Sequence, residues 1–227
     1  MVKICYLCGK SIKGRVTMDH VLPKQIFTPK VRQKHNLSQL KTLPTHKHCN
    51  ESYQSDEDYF VWTLAPIALG SHTANAIADY HAKKFRSGKS VGLGKKILKQ
   101  LSDQPGTLYL PRNQVTVRVE GARINRVAWK IIRGLYWIEK GSLLPENTKY
   151  YFELIEPENR DKSVFSEIWE IVKAQPSKGI YAGVFDYKYF HAKKGGMQLH
   201  LWGMLLWDRI MLFISHHNPN SIVDDTT

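Results

Sequence analysis

Along the chain, the order of apolar and polar positions changes character twice. From residue 107 onward the pattern is dense. INRVAWKIIRGLYWIE reads as an amphipathic helix and SVFSEIWEIVKA as a second one. TLYLPRNQVTVRVEG reads as strands around a turn, and YYFELIEP as a further strand. GIYAGVFDYKYFHA and MQLHLWGMLLWDRIMLFISHH are strand-rich, with β-branched and aromatic residues alternating in part. Nearer the start the signals are shorter. Residues 3–9 form a tight turn carrying two thiols, and residues 12–18 form a short strand that Pro23 prevents from continuing. Residues 24–41 are polar and basic, a loop with a short helical piece. Leu43-Pro44 opens a second turn, THKHCN. A helix is then predicted from Asn50 or Glu51 through ESYQSDEDYFVWTLAPI, whose acids favour a helix N-terminus, and Pro66 should end or kink it. A second helix covers residues 71–86.

These elements predict an α+β fold. A small module occupies residues 1–66, a helical and basic linker residues 67–104, and an α+β domain with an antiparallel sheet residues 105–227. With 227 residues, 42% of them hydrophobic, the chain can bury a true core. No apolar run approaches the roughly 18 residues of a membrane span. The opening MVKICYLCGK lacks the apolar stretch of a secretory signal, so a cytoplasmic location is the expectation.

Charge sharpens the picture. The net charge is +13, and 11 of the excess positive charges fall in residues 1–120. Such an imbalance favours a polyanionic partner. Residues 83–99 hold seven Lys/Arg and no acid, as a solvated linker or a phosphate-contacting arm would. Within them GKSVGLGKK is not a nucleotide-binding P-loop: the spacing is wrong, and no Ser or Thr follows Lys95.

All three cysteines lie before residue 50, and an odd number argues against a disulfide framework. Cys5-x2-Cys8 and His46-x2-Cys49 supply four ligands of the types zinc prefers, in two close pairs. Four protein ligands leave no open position, so this Zn²⁺ should be structural. His48 is the alternative fourth ligand, but His46 repeats the spacing of the first pair.

Between and beside these pairs stand Asp19-His20 and Asn50. The ordered set Cys5, Cys8, Asp19, His20, Pro23, Leu43, Pro44, Cys49 and Asn50, followed by an acidic-aromatic helix, resembles the ββα-metal core of HNH endonucleases. The resemblance covers about the first quarter of the chain. It implies His20 as general base and Asp19 and Asn50 as ligands of one catalytic Mg²⁺ or Mn²⁺, with DNA as substrate. The chemistry suits these types: an imidazole accepts a proton near neutral pH, and carboxylate and amide oxygens are hard ligands. One position departs from the family. Its middle Asn, usually nine residues before the final Asn or His, is Lys41 here, and Asn36 lies outside the spacing. Glu57 is either an outer-shell group or an ordinary surface residue. The remaining histidines lack ligand spacing; His216-His217 reads as a solvated pair, and the Trp and Tyr residues of 129–207 read as core.

Three functions compete. The first is a metal-dependent HNH endonuclease hydrolysing DNA. The second is a non-catalytic zinc module that binds nucleic acid. The third is a nuclease effector, as in phage defence, controlled by a partner protein subunit; a homodimer is a further possible assembly.

Overall fold

The computed structural model describes residues 2–102, 116–146, 148–155, 166–179, 181–194 and 197–218. Near the start, β1 (Thr17–His20) pairs antiparallel with β2 (Thr42–Thr45), with Asp19 opposite Leu43 and His20 opposite Thr42. The strand is shorter and later than residues 12–18, because Gly14 turns the chain at φ +87° and strand geometry begins only at Thr17. The connection between β1 and β2 carries one turn of 3-10 helix (Lys24–Ile26) and α1 (Pro29–Lys34). Pro29 stands in the first turn of α1, and the Thr28 hydroxyl caps it by accepting from the Val31 amide at 3.4 Å.

After β2 come α2 (Lys47–Glu51), α3 (Gln54–Ile67), α4 (His72–Arg86) and α5 (Val91–Leu98). The single helix expected from residue 50 is thus two, and α3 ends one residue beyond Pro66. The Ser71 hydroxyl caps α4, accepting from the Ala74 amide at 3.0 Å. Part of the basic stretch expected as a linker or arm is α5, which packs on α3.

Short strands β3 (Leu101–Ser102) and β4 (Thr116–Val117) then pair. The rest of the strand pattern expected over residues 107–121 lies largely outside the described residues. Next come α6 (Gly121–Lys140), β5 (Lys149–Ile155), α7 (Ser166–Lys173), β6 (Phe185–Lys194), β7 (Met197–Leu206) and β8 (Ile210–Asn218). The last four strands form an antiparallel sheet in the order β5-β8-β7-β6.

Strand periodicity decides which residue joins which core. On β8, Leu212 and Ile214 belong to the main core, which α6 enters through Ile131, Ile132 and Leu135. Met211 and Phe213 face the other way, into a smaller core with Val172 of α7. Both faces are therefore covered. Trp202 and Trp207 are fully buried, as expected of core aromatics.

The main core does not stop at the sheet. It continues through α3 and α6 into Val21, Leu22, Ile26, Phe27 and Val31, so the N-terminal ribbon shares it with the C-terminal half. Gly134 makes the closest approach possible. A Cβ there would come within 2.5 Å of a Val21 methyl, so any side chain would push α6 off the segment that follows β1.

Candidate metal centre and active site

Cys5 and Cys8 stand in the turn that precedes β1. His46 directly precedes α2 and Cys49 lies within it. The ribbon brings the two pairs together. One ligand atom from each of Cys5, Cys8, His46 and Cys49 lies within 4.8 Å of all the others. His46 Nδ1 is 3.4 Å from Cys8 Sγ and 3.9 Å from Cys49 Sγ. A tetrahedral ion with bonds of about 2.3 Å separates its ligands by roughly 3.8 Å, so the donor set fits zinc. The other ring nitrogen, Nε2, is 3.3 Å from the Ser11 carbonyl oxygen, an outer partner of the kind that orients metal-bound imidazoles. His48 stacks beside His46, with ring centroids 5.0 Å apart, and stays outside the cluster.

Thiol electrostatics agree with a cation here. Burial raises the Cys5 thiol, but the Thr45 hydroxyl and the amides of His46, Cys8 and Leu7 outweigh it and bring the pKa down to about 6. Cys49 is pushed up to about 12, by burial first and then by the Cys5 and Cys8 sulfurs. One thiolate forms readily while its neighbour resists. A bound dication removes that conflict. The cluster is thus able to bind a structural metal such as zinc.

Asp19 and His20 diverge, as neighbours on a strand should. Asp19 points inward and is 3% exposed. One of its oxygens accepts from Tyr6 Oη at 2.5 Å, and the other from Lys130 Nζ at 2.9 Å. Lys130 comes from α6 and is fully buried; its ammonium also donates to the His20 carbonyl at 3.0 Å and to Glu57. Three acceptors for three ammonium protons leave none unsatisfied. Glu57 is therefore neither a surface residue nor free. Burial raises its carboxyl, and Lys130 opposes the shift. The Tyr6 hydroxyl is raised well above its ordinary range by burial and the adjacent Asp19 charge.

His20 points the other way and is half-buried. Burial lowers its pKa below the ordinary value, the Lys24 charge adds to the effect, and Arg32 and Lys130 contribute, while Asp19 opposes them. The imidazole is therefore neutral at pH 7 and able to accept a proton. Asn50 is half-buried in α2, which packs on β1. Lys41, at the family's middle-Asn position, is exposed, and its amide donates to Tyr181 Oη at 2.6 Å.

The expected Mg²⁺ or Mn²⁺ ligand Asp19 does not fit that role as it stands. Both its oxygens are engaged and its carboxylate is closed to solvent.

Sequence reasoning did not find Tyr6, Lys130 or Tyr181. Lys130 left a trace, since it lies three residues after Val127 and four before Gly134, on the buried stripe of α6. His216, expected from the sequence to be solvated, is buried. It is 1% exposed and stacks on His200 at 4.4 Å between ring centroids, because the two face each other across β7 and β8.

Comparisons with family models, curated proteins and solved structures found no match. Among the described residues, no helix is long and apolar enough to cross a membrane.

Proposed function

We propose that the chain is an HNH-type endonuclease that hydrolyses DNA, with His20 as the general base. The observation that carries this reading is the half-buried His20 imidazole, its pKa lowered by burial and by Lys24, at the end of a ββα unit beside a zinc-type cluster. Lys24 and Arg32 act on the same imidazole, so a phosphodiester presented to His20 would meet positive charge. His20 would take a proton from the attacking water, and the low pKa keeps it ready to do so at neutral pH. The Lys130 bond to its carbonyl fixes the strand end that carries it.

The resemblance expects a divalent cation on Asp19 and Asn50. With both Asp19 oxygens held by Tyr6 and Lys130, no step is assigned to an ion there. Supercoiled plasmid incubated with Mg²⁺ or Mn²⁺ tests the reading. Wild type should nick it, and His20→Ala should lose at least 100-fold in rate while keeping DNA affinity and one zinc per chain. Nicking by His20→Ala at the wild-type rate would end the assignment.

The second reading, a non-catalytic zinc module that binds nucleic acid, is favoured by one feature. Tyr6 and Lys130 already hold both oxygens of Asp19. Binding without nicking in either metal would select it. Control by a partner subunit remains a proposal on sequence grounds alone, and co-purification of a second chain is its test.

A further inference from the structure

Several cations around α3 and α6 are already engaged. Arg123 and Arg126 pair with Asp56, and Lys96 pairs with Glu120. Lys130 is spent on Asp19 and Glu57. Lys24, Arg32 and Lys84 are among the cations that form no ion pair with a carboxylate in the described residues, and they are set apart by where they lie.

These three residues line one groove of about 440 Å³, which the 3-10 turn, α1, α3 and α4 enclose. Arg32 reaches it from α1 with its Nε buried and without a hydrogen-bond partner. Lys84 reaches it from α4, its ammonium 4.7 Å above the Tyr80 ring. Gln54 adds a neutral hydrogen-bonding group. One acid is present, Asp58, and it accepts from Gln25 Nε2 at 2.8 Å. Three cations against one carboxylate leave the groove positive. Its two basic residues nearest the strand end, Lys24 and Arg32, are those whose charges reach His20.

We propose that this groove is the track for the DNA backbone, with Lys24, Arg32 and Lys84 contacting phosphates of the strand whose scissile bond lies at His20. The proposal rests on DNA being the substrate and adds where it lies. The partner is a polyphosphate chain rather than a single small anion, because the cations are spread over three separate elements along an open channel. Such contacts fix position without reading sequence, so target choice would come from elsewhere in the chain.

The test separates binding from cutting. Full-length, zinc-loaded protein is titrated in EDTA against a fluorescein-labelled DNA duplex, by anisotropy, at several salt concentrations. Metal-free buffer is safe for the zinc only with brief exposure, so zinc content is checked after each titration. In Arg32→Gln/Lys84→Gln, affinity should fall about tenfold or more, and the log–log salt slope should drop by roughly 2. Lys149→Gln, on β5, should leave both unchanged. If the double variant loses zinc or melts early, Lys24→Gln/Lys84→Gln serves in its place. Wild-type affinity and slope in the groove variant would overturn the proposal, as would an equal loss in Lys149→Gln or no DNA binding by wild type. Groove-dependent binding by a chain that never nicks keeps the track and removes the nuclease; nicking with an unaltered groove variant does the reverse.

Discussion

Two of the three antiparallel sheets among the described residues are held by very different means. The four-stranded sheet has strands of up to ten residues and is covered by helices on both faces. The β1–β2 ribbon has four residues per strand and contributes few apolar side chains of its own. A two-stranded ribbon is marginal in water. Here it is fastened at one end by the Cys/His cluster and at the other by Lys130, which a distant helix supplies. Packing maintains the large sheet, and discrete polar fastenings maintain the small one.

Breaking the first fastening should separate the two most sharply. Structural zinc supplies on the order of 10 kcal/mol in small domains. Cys5→Ser is expected to drop zinc to well below one per chain and to remove hydrogen-exchange protection from residues 2–51, while β6–β8 stay protected. Full zinc occupancy in that variant would show that the ligand assignment is wrong.

The second fastening is weaker but still strong. Lys130→Met leaves two buried carboxylates facing each other without a cation, a change that costs about 3–5 kcal/mol. Denaturant unfolding should show that loss. Lys130→Met/Asp19→Asn/Glu57→Gln should recover part of it, since the charges then disappear together. A single Lys130→Met variant as stable as wild type would mean that α6 does not hold the ribbon.

A smaller effect belongs to the packed helices and sheet. Burial lowers His81 to about 4, helped by the Lys84 charge, and lowers His200 to about 3, with His191 and Lys140 adding to it. Both are held neutral in the fold, whereas in the unfolded chain they take up protons below about pH 6.5. Their contribution to stability is complete above that pH and is lost as pH falls toward 4 and then 3. The urea midpoint should therefore decline through this window, and His81→Leu should flatten the decline. A midpoint independent of pH between 7 and 4 would count against neutral burial.

The same contrast explains what the sequence made legible. The cluster could be read because its ligands are chemically distinctive and come in pairs three residues apart. The helix α6 could be read from INRVAWKIIRGLYWIE because apolar periodicity is local. The network around Asp19 could not, because it joins residues 111 positions apart and uses a lysine whose type normally signals solvent. Glu57 and His216 failed for the same reason. Each is polar and sits where only a tertiary neighbour removes it from water, Lys130 in one case and the facing strand in the other.

During synthesis, the distance in sequence between Asp19 and Lys130 becomes a delay in time. The cluster's last ligand, Cys49, leaves the ribosome well before Lys130, so the nascent segment can present all four metal-binding side chains first. The lysine that anchors the His20 strand emerges some eighty residues later. Until then the segment lacks its second fastening. The strand that carries His20 is therefore held at both ends only after residue 130 has been made and has folded back onto it.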